Sequence, residues 1–305
     1  MRSTTLNLAL LLLTLGCAGQ NSSTPTSRTP DSAPFQFRSG FEPATTVSGA
    51  HRSASNTWVE SLQGRDGQAA FSWPGDLPGD PSRSGFFYLV DGDEDIRSII
   101  ETRIDDATGR GSTRALYQAV LKDHQSTASR ARNQYSLLNS REDVFAEGAV
   151  RYWLKLQPNL KEILPAGSWR QVMEWREQGD LYRKAVMIMP DAATGEPYWT
   201  VFADFGPRWD RDWTAENRAI RVPLGEWILL EAYWKEGSGS DGRLLVKINC
   251  QTLADHVGRT RNQGPIFSVD LFKVYAAPES LALGPSYQWI DDVEVSSTLS
   301  NAGCP

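Results

Sequence analysis

The residues that metal and nucleophile chemistry most often use are scarce here, with 3 His and 3 Cys in 305 residues. This leaves no room for a Cys/His zinc site of ordinary spacing and excludes a small disulfide scaffold. Positive charge is also short, with 31 Lys+Arg against 37 Asp+Glu and a net charge of −6 at pH 7. A broad nucleic-acid surface needs the opposite balance, so no nucleic-acid partner is expected. The 25 Gly and 17 Pro follow no collagen-like period. The chain is instead rich in aromatics, 11 Trp, 11 Phe and 9 Tyr, in a sequence that is 40% hydrophobic. Such a chain buries a core and is not a disordered one. Its chemistry must then be sought among carboxylates, Arg, Lys, Gln and Tyr.

The apolar run Leu6–Leu15 follows Met1-Arg2-Ser3. It is short of the roughly 20 residues that span a bilayer, and fits the hydrophobic region of an export signal over residues 1–16. The run closes as Leu13-Thr14-Leu15-Gly16-Cys17, which resembles a bacterial lipobox and marks Cys17 for lipidation. Residues 17–34 then read as a Ser/Thr/Pro tether without large apolar side chains. The expected location is the bacterial outer membrane or cell surface, reached through the lipid anchor alone; without the anchor the protein is periplasmic or secreted. In an oxidising compartment Cys250 and Cys304 remain as an even pair, and a bridge between them is expected. Such a bridge would contribute roughly 4 kcal/mol from loop entropy.

From Phe35 onward apolar residues alternate. Ala115, Tyr117, Ala119 and Leu121 share one strand face, as do Val150, Tyr152, Leu154 and Leu156. Short strands follow one another, separated by Gly, Pro, Asp and Asn, with no alternating helices. The spacing of Ile96, Ile99, Ile100 and Ile104 fits either a helix or a strand. The sum predicts an all-β antiparallel β-sandwich in a single domain over residues 35–305, expected to be a monomer.

In an extended strand, residues i and i+2 project to one face about 7 Å apart. Three strands carry a useful polar face. The first presents Arg130, Arg132, Gln134 and Ser136; the second Arg170, Glu174 and Arg176; the third Lys273 and Tyr275, with Phe272 and Val274 inward. Solvated outer faces of sandwiches also alternate charges, so each strand alone is weak evidence of a site.

Several phrases carry a resemblance. Leu224-Gly225-Glu226-Trp227, then Asp241-Gly242-Arg243-Leu244 and the closing Trp289-Ile290-Asp291-Asp292-Val293-Glu294-Val295, look like the concanavalin-A-like jelly-roll polysaccharide lyases that act on alginate, glucuronan and heparin. Arg132-Asn133-Gln134-Tyr135 falls where the alginate lyases carry an R-S/T-E-L strand, and Glu174-Trp175-Arg176 falls where they carry Q-x-H. Phe272-Lys273-Val274-Tyr275 resembles a shortened Y-F-K-A-G-x-Y strand, which carries their catalytic tyrosine. The resemblance covers residues 110–296. It implies a concanavalin-A-like jelly roll and β-elimination on an acidic, uronate-containing polysaccharide. In that reaction a uronate carboxylate is neutralised before its α-proton is taken. Tyr275, Arg132 and Gln134 become the catalytic candidates, and Glu174, Arg176, Lys273 and Arg130 the substrate-binding ones.

The departure at Glu174-Trp175-Arg176 sets a carboxylate where the family has an amide, and Arg where it has His. A non-catalytic cell-surface carbohydrate-binding lipoprotein is therefore the alternative, with Trp199, Trp209 and Trp213 as sugar platforms or packing residues. A hydrolase using Glu174 and Glu177 is disfavoured, because odd spacing sets them on opposite faces. No cofactor or catalytic metal is expected. A structural calcium ion is left open, although the Asp91–Asp95 acidic turn lacks the glycine and glutamate of an EF-hand.

Overall fold

The computed structural model describes residues 35–53, 57–88, 95–106, 108–110, 114–124, 130–138, 145–206 and 208–298. Cys17, Asp91–Glu94 and Cys304 lie outside them. In chain order the first strands are β1 (Gln36–Ser39), β2 (Thr46–Val47), β3 (His51–Arg52), β4 (Trp58–Glu60), β5 (Leu62–Arg65), β6 (Ser72–Trp73) and β7 (Gly85–Tyr88). Next come β8 (Ile100–Asp105), β9 (Ala115–Val120), β10 (Asn133–Leu138), β11 (Glu147–Leu156), β12 (Arg170–Glu177), β13 (Arg183–Pro190) and β14 (Pro197–Phe205). The last are β15 (Asp210–Arg221), β16 (Trp227–Lys235), β17 (Gly242–Ile248), β18 (Gln251–Gly258), β19 (Ile266–Ala276) and β20 (Ser286–Ser296). The ambiguous isoleucines divide, with a 3-10 turn at Ile96–Ser98 and strand from Ile100.

The strands form the antiparallel β-sandwich that the alternation predicts. One sheet runs β18-β17-β16-β11-β20-β9-β8, with β1 also paired to β20. The other runs β15-β14-β13-β12-β19-β10-β7-β4-β3, and β2-β5-β6 make a small third sheet. Neighbours in sequence often sit in different sheets: β10 leaves the first sheet for the second, β11 returns, and β12 leaves again. This alternation folds the apolar faces of both sheets onto one core. Trp175 of β12 meets Trp234 of β16 with ring centroids 5.8 Å apart, and Tyr152 of β11 meets Phe272 of β19 at 5.2 Å, edge to face. Such pairs add roughly 0.5–1.5 kcal/mol each beyond the area they bury.

A chain of hydrogen bonds also crosses this core. Arg170 of β12 donates to Gln288 of β20 at 2.8 Å, Gln288 to Gln118 of β9 at 3.0 Å, and Gln118 to Asn133 of β10 at 2.9 Å. Asn133 donates to Thr102 of β8 at 2.9 Å, and Tyr88 lies 2.5 Å from the same hydroxyl. Tyr88 and Arg97 close the chain on the carboxylate of Glu60. The chain satisfies polar groups that would each be costly to bury alone, and ties the two sheets at fixed register.

Arg170 corrects the sequence reading, which set it on the outer polar face with Glu174 and Arg176. The register of β12 against β13 slips between Gln171 and Met173, so one extra residue enters the strand and the face reverses. Arg170 therefore points inward, fully buried, and Gln171 takes the outer position.

Candidate functional site

The outer face of the second sheet gathers the polar residues of β10, β19, β12 and β13. On β10, Gln134 pairs with Lys273 of β19, and Ser136 pairs with Asp270. A bulge at this point puts Asp270 and Lys273 on the same face although they are three residues apart, with Phe272 turned to the core. On β12, Gln171 pairs with Tyr275 and Glu174 with Asp270. From β13, Arg183 lies beside Arg176 and Asp204.

These residues form two tiers. In the lower one Lys273 is fully buried, its Nζ hydrogen-bonded to Glu174 and 3.0 Å from Asp270 Oδ2. Ser136 donates to Asp270 at 2.6 Å, and Gln134 donates to Ser136 at 3.1 Å. Arg183 binds Asp204 through Nε at 3.0 Å and Nη2 at 2.7 Å, with Nη1 3.6 Å from Glu174. Burial works against ionisation of Glu174, but Lys273, Arg176 and Arg183 outweigh it and hold its carboxyl well below the usual range. Burial lowers the Lys273 ammonium, while Glu174 and Asp270 oppose that shift. Every carboxylate of the lower tier thus has a cation.

The upper tier is partly open and holds Arg132, Arg176 and Tyr275. The Arg132 guanidinium lies 5.5 Å from the centre of the Tyr275 ring, and Lys273 Nζ lies 5.8 Å from it. Trp169 packs edge-on against that ring at 4.7 Å. Arg132 makes no ion pair among the described residues, and its Nε is buried without a hydrogen-bond partner. Burial and the neighbouring Arg176 both lower its pKa, with Glu174 and Asp270 opposing. Two lower-tier amides also keep spare valence: Gln134 Oε1 and Gln171 Nε2 are buried without partners.

Of the sequence candidates, Arg132, Gln134, Glu174, Arg176, Lys273 and Tyr275 share this face. Arg130 is partly buried and joins none of the described hydrogen bonds or ion pairs of the cluster. Glu174 and Lys273 were expected to touch a substrate chain directly. They are 2% and 0% exposed, so they form the floor beneath Arg132, Arg176 and Tyr275. Sequence reading missed Gln171, Asp270, Arg183 and Asp204. Gln171 is hidden by the bulge; Asp270 and Asp204 were visible as acids inside apolar strands, a pattern that calls for a buried partner.

Among the proposed sugar platforms, Trp199 is buried and donates to the Arg221 carbonyl at 3.2 Å, so it is a packing residue. Trp213 stacks on His256 at 4.0 Å, while Trp209 is 42% exposed and lies 4.1 Å from the Arg183 guanidinium. No group of three His, Cys, Asp or Glu among the described residues is placed to hold a metal ion. Cys250 is disulfide-bonded; Cys304, the partner expected from the sequence, lies outside the described residues. A cavity of about 590 Å³ lies elsewhere, lined by Arg38, Glu42, Asp66, Arg151, Trp153 and Asp292 among others, and includes none of the predicted catalytic residues.

No family model matches the chain, and no curated protein matches it. Among solved structures it is similar to alginate lyase Aly36B over 87% of this chain and 97% of that one, at 14% identity and a TM-score of 0.48. It is similar to the endo-β-1,4-glucuronan lyase of the fungus Trichoderma reesei over 72% and 94% of the two chains, at 12% identity and a TM-score of 0.49. The marine PL-14 alginate lyase of Aplysia kurodai matches over 65% and 87%, at 13% identity and a TM-score of 0.43.

Proposed function

We propose that this face binds an acidic, uronate-containing polysaccharide and cleaves it by β-elimination. One observation carries the reading: Arg132 is a guanidinium without an ion pair among the described residues, beside the partly open Tyr275, above a floor whose carboxylates are already neutralised. A partly desolvated cation in that position favours an incoming anion. Arg132 would receive the uronate carboxylate, spreading the charge that develops when the neighbouring carbon loses its proton. Gln134 and Gln171 offer an unused acceptor and an unused donor beneath it.

The proton balance falls to Tyr275. Removal of the proton α to the carboxylate leaves an electron pair that forms the C4–C5 double bond and breaks the C4–O bond. The departing oxygen takes a proton: the Tyr275 oxygen, entering the step deprotonated, would accept the α-proton and, as the hydroxyl so formed, hand it to the leaving oxygen. Lys273 is held by two carboxylates beneath the ring and serves as a fixed charge. With the export signal and Cys17 as read from the sequence, the protein would act outside the cytoplasm on a lipid anchor.

The absence of histidine from this face among the described residues favours the second reading, a binder that does not cleave. Incubating the full chain with alginate, glucuronan and glycosaminoglycans, while following unsaturated-uronate absorbance, separates the two. Absorbance on one of these polymers that Tyr275→Phe abolishes supports elimination. Retention without absorbance on any of them leaves binding alone, and a rate unchanged by Tyr275→Phe overturns the mechanism.

A further inference from the structure

The outer face of the other sheet carries a single row of side chains across five adjacent strands. Trp227 of β16 pairs with Lys155 of β11, and Lys155 with Trp289 of β20. Trp289 pairs with Tyr117 of β9, and Tyr117 with Arg103 of β8. Neighbouring strands lie about 4.8 Å apart, so the row spans roughly 19 Å at right angles to the chain direction. Inner positions on the same strands are Leu154, Gln118, Gln288 and Thr102, all buried, which fixes the row on the outside.

Aromatics and cations interleave along it. Lys155 Nζ lies 5.9 Å from the Trp227 ring and 5.4 Å from that of Trp289, and Arg103 lies 3.9 Å from the Tyr117 ring. Arg103 is answered by Glu101 and Asp105, and the Trp289 Nε1 by Asp105 at 3.2 Å. Lys155 has no ion pair among the described residues, although it stands between two indoles on a sheet otherwise supplied with carboxylates. Cation–π contact holds such an ammonium in place and leaves its charge uncancelled.

We propose that this row is a second polysaccharide-binding surface, taking a stretch of uronate-bearing chain laid across the strands. The step between strands is close to the length of one pyranose in an extended chain. Sugar faces would rest on Trp227 and Trp289, where polarised C–H groups meet an aromatic ring. A carboxylate would meet Lys155, and that unanswered charge selects an acidic chain over a neutral one. The surface lies on the opposite side of the sandwich from Tyr275. It shares only the ligand class with the proposed reaction and requires no cleavage.

Affinity electrophoresis tests it, using the full chain in gels containing alginate, polyglucuronate or, as the neutral control, hydroxyethyl cellulose. In an Arg132→Ala background, which removes the proposed carboxylate receptor of the other site, retardation by at least one acidic polymer persists. Adding Trp227→Ala and Trp289→Ala weakens it by about tenfold or more, as expected for two lost ring contacts. Lys155→Met weakens retention on the acidic polymer and leaves mobility in the neutral gel unchanged. Trp227→Ala and Lys155→Met, both at partly exposed positions, carry the test if Trp289→Ala fails to fold. Retention that survives all three changes, or no retention of the Arg132→Ala chain on either acidic polymer, overturns the proposal. Equal retention on neutral and acidic polymers overturns the choice of ligand.

Discussion

Lys273 Nζ lies 3.0 Å from Asp270 Oδ2, three residues earlier on the same strand, with both side chains fully buried. A regular strand puts such a pair on opposite faces; the bulge between them brings the two charges together. Glu174 completes the group from β12. Removing Lys273 as Lys273→Met leaves two buried carboxylates without their ammonium, and should cost about 3–5 kcal/mol in urea unfolding. Adding Glu174→Gln to that variant should recover part of the loss, since one uncompensated charge disappears.

Arg170 holds the bulged strands from within. Its guanidinium donates to the carbonyls of Gln171 and Lys273, the latter at 2.7 Å, and burial lowers its pKa to about 9. Arg170→Met should expose the amides of β12 and β19 near these contacts to hydrogen exchange, roughly tenfold faster or more, on losing charge-assisted bonds. Amides of β17 in the other sheet should stay at their original rates.

The proposed reaction makes Arg132 the receptor of substrate charge. Arg132→Ala should lower kcat/KM on the cleaved polymer by roughly 10²–10³, the usual cost of one preorganised donor at a developing anion. Arg132→Lys should restore part of it, because the charge returns without the planar fork. Steady-state kinetics at two salt concentrations check this, the wild type losing affinity at the higher one.

Burial, together with the neighbouring charges of Asp292 and Glu42, pushes the Asp291 carboxyl up from its usual 3.8 to about 7, against the amides of Arg110 and Asp292. The folded chain therefore holds this proton at pH values where the unfolded chain has released it. Stability from this group is greatest below pH 4, falls as pH rises from about 4 to 7, and is level above, the whole change being roughly 4 kcal/mol at most. Asp292→Asn removes one like charge at a residue whose φ of 48° asparagine also tolerates. It should move the Asp291 titration, read by carboxyl NMR, towards lower pH.

Gly148 leaves room for Trp234: a Cβ there would stand 2.5 Å from the indole Cζ2. Gly148→Ala should destabilise the fold by about 1–3 kcal/mol in thermal or urea unfolding, through overpacking at the Trp175–Trp234 contact. Gly264→Ala meets nothing within 4 Å and should be near neutral.

Much of the sandwich was legible because burial on one face writes itself as alternation. The predicted strands around Val150–Leu156, Arg170–Arg176 and Lys273–Tyr275 coincide with β11, β12 and β19. Alternation is weak in β15 and β18, since Asp210–Arg221 is largely exposed and Gln251–Gly258 is also an edge strand with a polar outer side. Edge strands bury too little to mark their period.

Alternation by itself placed Arg132 and Gln134 on one face of their strand, and likewise Lys273 with Tyr275, because side-chain direction has a period of two wherever a strand is regular. Only the tertiary structure decided which strands stand side by side, so that Glu174 meets Lys273 and Arg132 meets Tyr275. It also decided where the period breaks. A bulge inserts one residue for reasons of sheet twist and packing that no local pattern records, and each one reverses the face of all that follows. That reversal sent Arg170 into the core, brought Gln171 out, and made a lysine and an aspartate three residues apart into partners.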